Sequence, residues 1–83
     1  MLSEQKKSKL KWHCRRGMLE LDLIFGRFLE RRLNSMTEAD YDGFERFLSH
    51  SDPDLYAWLM GYDVPSDLES KQFVTLIHTI NNI

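Results

Sequence analysis

Met18-Leu19-Glu20-Leu21-Asp22-Leu23-Ile24-Phe25-Gly26-Arg27-Phe28-Leu29-Glu30-Arg31-Arg32-Leu33 is the most apolar stretch of the chain. At about 100° per residue, Met18, Leu19, Leu21, Leu23, Ile24, Phe25, Phe28, Leu29 and Leu33 cover more than half of a helix circumference. A helix apolar on most sides touches several neighbours, so the spacing predicts a central helix over 18–33. Glu20, Arg27 and Arg31 follow one stripe that should face outward. Asp22 falls inside the apolar sector near Leu29 and Leu33, where a carboxylate needs a partner or free helix amides. Gly26 leaves room for the close approach of another helix or an aromatic ring.

Just ahead stands Arg15-Arg16-Gly17, a natural corner between two helices. A first helix is expected over residues 5–15, with Leu10, Trp12 and Cys14 toward the core and its lysines forming a solvated basic face. Lys9, Lys11, Arg15 and Arg16 form a local basic patch that suits partner docking or plain solvation equally. Arg15 and Arg16 would end that helix, where cations suit the negative end of the dipole. Gly17 supplies the break, because glycine adopts a non-helical backbone at little steric cost. With Gly17 as N-cap, Glu20 stands three residues on and can reach back to the Gly17 amide, as in a capping box.

Three more helices follow. Thr37 caps the third, with Glu38 and Asp40 in its first turn and Tyr41, Phe44, Phe47 and Leu48 on its buried face; it ends near His50. Ser51 or Asp52 caps the fourth, Pro53 sits in its first turn, Leu55, Trp58 and Leu59 face inward, and Gly61 stops it. Ser66 and Glu69 form a capping-box pair for the fifth, whose buried stripe is Phe73, Val74, Ile77 and Ile80, helped by Leu68 and Leu76. The tail from Asn81 should fray. No strand pattern or repeat appears. The fold class is all-α: one domain over residues 1–83, a bundle of five short helices with an apolar second helix at its centre.

Composition narrows the function. The chain has 83 residues, 42% hydrophobic and 29% charged, a balance that favours an ordered globular domain over disorder. A core this small leaves little room for an internal substrate cavity. The net charge of −2 gives no overall field toward nucleic acid. No apolar run approaches the roughly 20 residues that span a bilayer. Cys14 is the single cysteine, so an internal disulfide is impossible and a reducing compartment fits. It reads as a packing residue. His13-Cys14 is not a metal spacing, and His50 and His78 stand alone, so a zinc site or a Cys-His nucleophile pair is poorly supported. The lysine-containing start lacks an apolar signal core and reads as a bacterial cytoplasmic N-terminus.

Two strings carry a resemblance. Arg16-Gly17-Met18-Leu19-Glu20 matches RGxxE, and the longer Arg15–Asp22 octet, RRGMLELD, is similar to the signature of the small succinate dehydrogenase assembly factors. Asp52-Pro53-Asp54-Leu55-Tyr56-Ala57-Trp58-Leu59-Met60 resembles that family's DPDLxxWLM segment, in the family's order. The resemblance implies a non-enzymatic helper that binds the flavoprotein subunit of succinate dehydrogenase or fumarate reductase. It would favour the state in which a flavoprotein histidine attaches to the flavin, so FAD belongs to the partner and is not stably held by this chain. The implied partner-binding residues are Arg15, Arg16, Gly17, Met18, Glu20 and Asp22, on a monomer that is not membrane-embedded. On this reading, alanine at Arg16 or Glu20 should leave the fold intact. An enzyme built on Glu20, Asp22 and Arg16 would need a nucleophile-base pair or cofactor loop that the sequence does not offer. The remaining alternative is a small helical regulator or antitoxin-type interaction protein. Its nucleic-acid version is disfavoured by the acidic stretch from Met36 to Asp63, where Arg46 is the only Lys or Arg.

Overall fold

Local chemistry starts and stops most of the helices. The computed structural model describes residues 2–82 and contains α1 (Glu4–His13), α2 (Leu19–Arg32), a 3-10 turn (Leu33–Ser35), α3 (Glu38–Leu48), α4 (Asp52–Leu59) and α5 (Leu68–Asn81). The Thr37 hydroxyl accepts the Asp40 N–H at 3.1 Å while the Asp40 carboxylate accepts the Thr37 N–H at 3.0 Å, a complete capping box. The Ser51 hydroxyl accepts the Asp54 N–H at 3.3 Å, with Pro53 in the first turn of α4. Gly61, at φ +80°, turns the chain out of that helix.

Two of the expected ends differ. The cap of α5 is Asp67, not Ser66: its carboxylate accepts the Ser70 N–H at 2.8 Å, and this bond holds the Asp67 carboxyl below its usual range. Glu69, freed from the expected capping box, forms a two-pronged pair with Arg46 of α3 at 2.9 and 2.8 Å. At the other end of α5, Asn81 is not frayed: its amide donates to the Ile24 carbonyl at 3.2 Å and to the Ile77 carbonyl at 3.0 Å, tying that residue to α2. Ile83, the end of the tail expected to fray, lies outside the described residues.

The core is a cluster of phenylalanines from three helices. Phe44 of α3 lies 6.1 Å from Phe25 and 5.0 Å from Phe28 on α2, and 5.5 Å from Phe73 on α5, ring centre to ring centre. Phe25, Phe28, Phe44 and Phe47 are all buried. Burying each such ring contributes roughly 1.5–3 kcal/mol, so the four together match the net stability of a typical small domain, about 5–15 kcal/mol. α5 packs against α2, α3 and α4 and so shares the centre with α2. The close approach expected at Gly26 occurs at Gly43 instead. A Cβ on Gly43 would lie 3.2 Å from the Glu69 carboxylate and 3.3 Å from the Phe73 ring; one on Gly26 would meet nothing within 4 Å.

Two parts of the apolar count on α2 are corrected. Leu21, Ile24, Phe25, Phe28, Leu29 and Leu33 are buried, but Leu19 is 69% exposed and Leu23 49% exposed. The buried sector is therefore narrower than the sequence stripe. Trp12 of α1, also expected inward, is exposed. α1 buries Leu10 and is held to α3 largely by polar contacts. Lys6 pairs with Glu38 at 2.8 Å and His13 with Glu45 at 2.9 Å, so part of its basic face is engaged rather than merely solvated.

Phe44→Ala should destabilise the domain by about 3–5 kcal/mol, whereas Leu19→Ala should change stability by no more than about 0.5 kcal/mol. Urea unfolding followed by far-UV circular dichroism measures both. Similar losses for the two variants would contradict the narrow buried sector of α2.

Candidate functional site

The corner between α1 and α2 is built from backbone outward. α1 ends at His13 with Cys14 as its C-cap, so Arg15 and Arg16 lie beyond the helix rather than in its last turn. Gly17 has φ +76°, a conformation that L side chains rarely adopt, and reverses the chain. Met18 is extended and is the actual N-cap of α2, without a side-chain cap bond. The expected Gly17–Glu20 capping box therefore does not form. Glu20 sits in the first helical turn, exposed, where the helix dipole still favours an anion. The amide that is bonded belongs to Arg16: its N–H donates to the Asp22 carboxylate at 2.8 Å. Asp22 has the partner its half-buried position demands.

The Arg16 side chain turns inward. Its Nε donates to Asp52 Oδ1 at 2.7 Å, Nη1 to the His13 carbonyl at 3.0 Å and Nη2 to the His50 carbonyl at 3.2 Å. These acceptors are the end of α1, the residue region just past α3, and the first residue of α4. The Arg16 side chain is only 18% exposed. A free, replaceable contact was expected here; the structure shows a staple across three helix ends. It also joins the two signature strings, because Asp52 opens the second one. Further along that string Leu55 and Leu59 are buried, and half-buried Trp58 lies 4.8 Å from the His50 ring and 6.2 Å from Phe47, while Pro53 and Asp54 are exposed.

The remaining predicted residues divide clearly. Arg15, Gly17 and Glu20 are exposed, Met18 is half-buried against the core, and Asp22 faces the Arg16 amide. Exposed Leu19 lies inside the motif, between Met18 and Glu20, and Leu23 follows one turn on. Sequence reasoning assigned both leucines to the core. Their only distinguishing signal was position at the edges of a very wide apolar sector. Cys14 is 5% exposed, and burial pushes its thiol up to about 12, which leaves almost no thiolate at neutral pH. Among the described residues no cluster of three or more His, Cys, Asp or Glu side chains is arranged to hold a metal ion.

The fold and this corner define a small all-helical domain, with its inner charges consumed in hydrogen bonds and its outer ones exposed on the turn. The chain belongs to the Sdh5 family, described as the flavinator of succinate dehydrogenase, which matches residues 8–81. It is similar to the FAD assembly factor SdhE of Legionella pneumophila strain Lens, at 41% identity over 98% of both chains. The SdhE of Colwellia psychrerythraea is 45% identical, over 92% of this chain and 84% of that one. The SdhE of Vibrio cholerae is 47% identical, over 75% and 72%. The solution structure of a UPF0350 protein superposes with a TM-score of 0.80 at 40% identity, covering 99% of this chain and 87% of that chain.

Arg16→Ala should cost roughly 2–3 kcal/mol, because it strips a charged partner and leaves two helix-end carbonyls unanswered. Arg16→Lys should recover less than half of the loss, since an ammonium cannot reproduce the planar fork. Chemical denaturation of the three proteins decides this, and a wild-type midpoint for Arg16→Ala would return Arg16 to the surface. Cys14 should resist iodoacetamide at pH 7.5 in the folded protein and react promptly in denaturant; mass spectrometry of timed samples reads both rates.

Proposed function

We propose that this chain is a non-enzymatic assembly factor that binds the flavoprotein subunit of succinate dehydrogenase, and of fumarate reductase where present, and promotes covalent attachment of FAD to it. The observation that carries this reading is the Arg16 staple between the two signature strings. It fixes the corner so that Arg15, Leu19, Glu20 and Leu23 are offered outward on one short, rigid stretch. The family description and the relatives named as FAD assembly factors support the same reading.

The role is a shift of population. A helper that binds the attachment-competent flavoprotein more tightly than other states raises its share by that affinity ratio, and supplies no reacting group. Glu20 and Arg15 are the charged contacts, while Leu19 and Leu23 contribute apolar area. Arg16, Gly17 and Asp22 act by holding them in place. The attachment chemistry and the FAD belong to the flavoprotein. The proposal carries a bacterial cytoplasmic location and a monomer. Bacterial relatives support the former, and no described helix is long and apolar enough to cross a membrane.

Glu20→Ala should keep the wild-type melting curve and lower covalent flavin on the flavoprotein at least about tenfold. In-gel flavin fluorescence of denatured flavoprotein, from cells carrying each form, measures it. An undiminished band with Glu20→Ala would remove Glu20 from the contact surface.

A further inference from the structure

Beside the exposed turn lies an open groove of about 870 Å³. Lys11 and Arg15 line it from α1 and the corner; Asp22, Gly26, Leu29 and Glu30 line it from α2, and Leu33 from just past that helix. On α2 these residues make a stripe from 22 to 33, about 16 Å long at 1.5 Å per residue. The sequence pattern leaves room at Gly26 for something to approach, yet nothing among the described residues comes within 4 Å of the Cβ position there. The groove is thus an open depression with no side chain at Gly26 and apolar ones at Leu29 and Leu33.

The charges on its rim are also unanswered. Lys6, Lys7, His13, Arg16 and Arg46 make the ion pairs seen in the structure; Lys11 and Arg15 meet no carboxylate among the described residues. Glu30 likewise meets no cation among them. Asp22, also in the lining, already accepts the Arg16 N–H, so the unpartnered charges are Lys11 and Arg15 on the α1 side and Glu30 on α2, and these select a segment whose acidic side chain faces α1.

We infer that this groove seats a carboxylate-bearing segment of the client flavoprotein, its acidic group between Lys11 and Arg15 and its main chain or a small side chain over Gly26. This deepens the assembly-factor reading and rests on it. The turn and the groove then form one continuous footprint, with Asp22 and Gly17 at their junction. Lys11, Gly26 and Glu30 become contact residues outside the RGxxE string.

The test titrates the FAD-free flavoprotein subunit of succinate dehydrogenase with wild type, Gly26→Phe, and the double variant Lys11→Glu/Arg15→Glu, by calorimetry at two salt concentrations. Gly26→Phe fills the groove at a position where the helix gains from losing glycine, so its melting temperature should be kept or raised. Both variants should bind at least tenfold more weakly, and the double variant should lose most of the salt dependence of the wild type. If Gly26→Phe does not fold, Lys11→Glu alone decides, since Lys11 is exposed and lies outside the turn that the assembly-factor reading already uses. Wild-type binding that survives the folded variants within twofold overturns the groove and leaves the assembly-factor reading standing. Absence of wild-type binding overturns both. Concentration-dependent dimerisation that Gly26→Phe abolishes would seat a second copy in the groove and overturn the flavoprotein segment.

Discussion

The Arg16 guanidinium meets the His13 carbonyl, the His50 carbonyl and the Asp52 carboxylate together. Two of these lie at or just past helix C-termini, where carbonyls lack intrahelical partners and the dipole favours a cation. The third is an anion in the first turn of α4, where the opposite sign is favoured. A planar fork with fixed donor directions suits three acceptors on three elements; a lysine would have to gather all three around a single nitrogen. Asp22 fixes the same residue from the backbone side through its bond to the Arg16 amide. The path of the chain through Gly17, and so the direction in which Glu20 and Leu19 point, depends on these bonds.

This arrangement separates bonded from exposed groups within one short motif. Arg16, Gly17 and Asp22 hold: a staple, a reversed backbone and an amide acceptor. Arg15, Leu19 and Glu20 remain available to a partner. The second string, from Asp52 to Met60, reads as an independent motif in sequence but contributes to the same unit through Asp52, while Leu55 and Leu59 enter the core. On the assembly-factor reading proposed above, the output is the fixed placement of a few side chains against another protein, which a thin five-helix core can supply.

What the sequence disclosed was what local chemistry decides. Thr37 with Asp40, Ser51 with Pro53, the stop at Gly61 and the reversal at Gly17 follow from neighbours within four residues. The all-α bundle and the phenylalanine faces follow from helical spacing. The inward turn of Arg16 was not legible, because its acceptors on His50 and Asp52 lie 34 and 36 residues away. Leu19 and Leu23 looked like core because a wide apolar sector does not reveal which edge is covered; that depends on where α5 packs. Ser66 and Asp67 are both competent caps one residue apart, and the Arg46–Glu69 pair across α3 and α5 accompanies the choice of Asp67.

The central claim is that Arg16 and Asp52 act as one unit joining the two signature strings. A double-mutant cycle of Arg16→Ala and Asp52→Ala, read by urea unfolding, tests it most directly. The account predicts that the two losses are strongly non-additive, with a coupling of about 1 kcal/mol or more, because either change alone breaks the same contact. Losses that add to within about 0.3 kcal/mol would mean that the two strings are energetically independent, and would contradict the account.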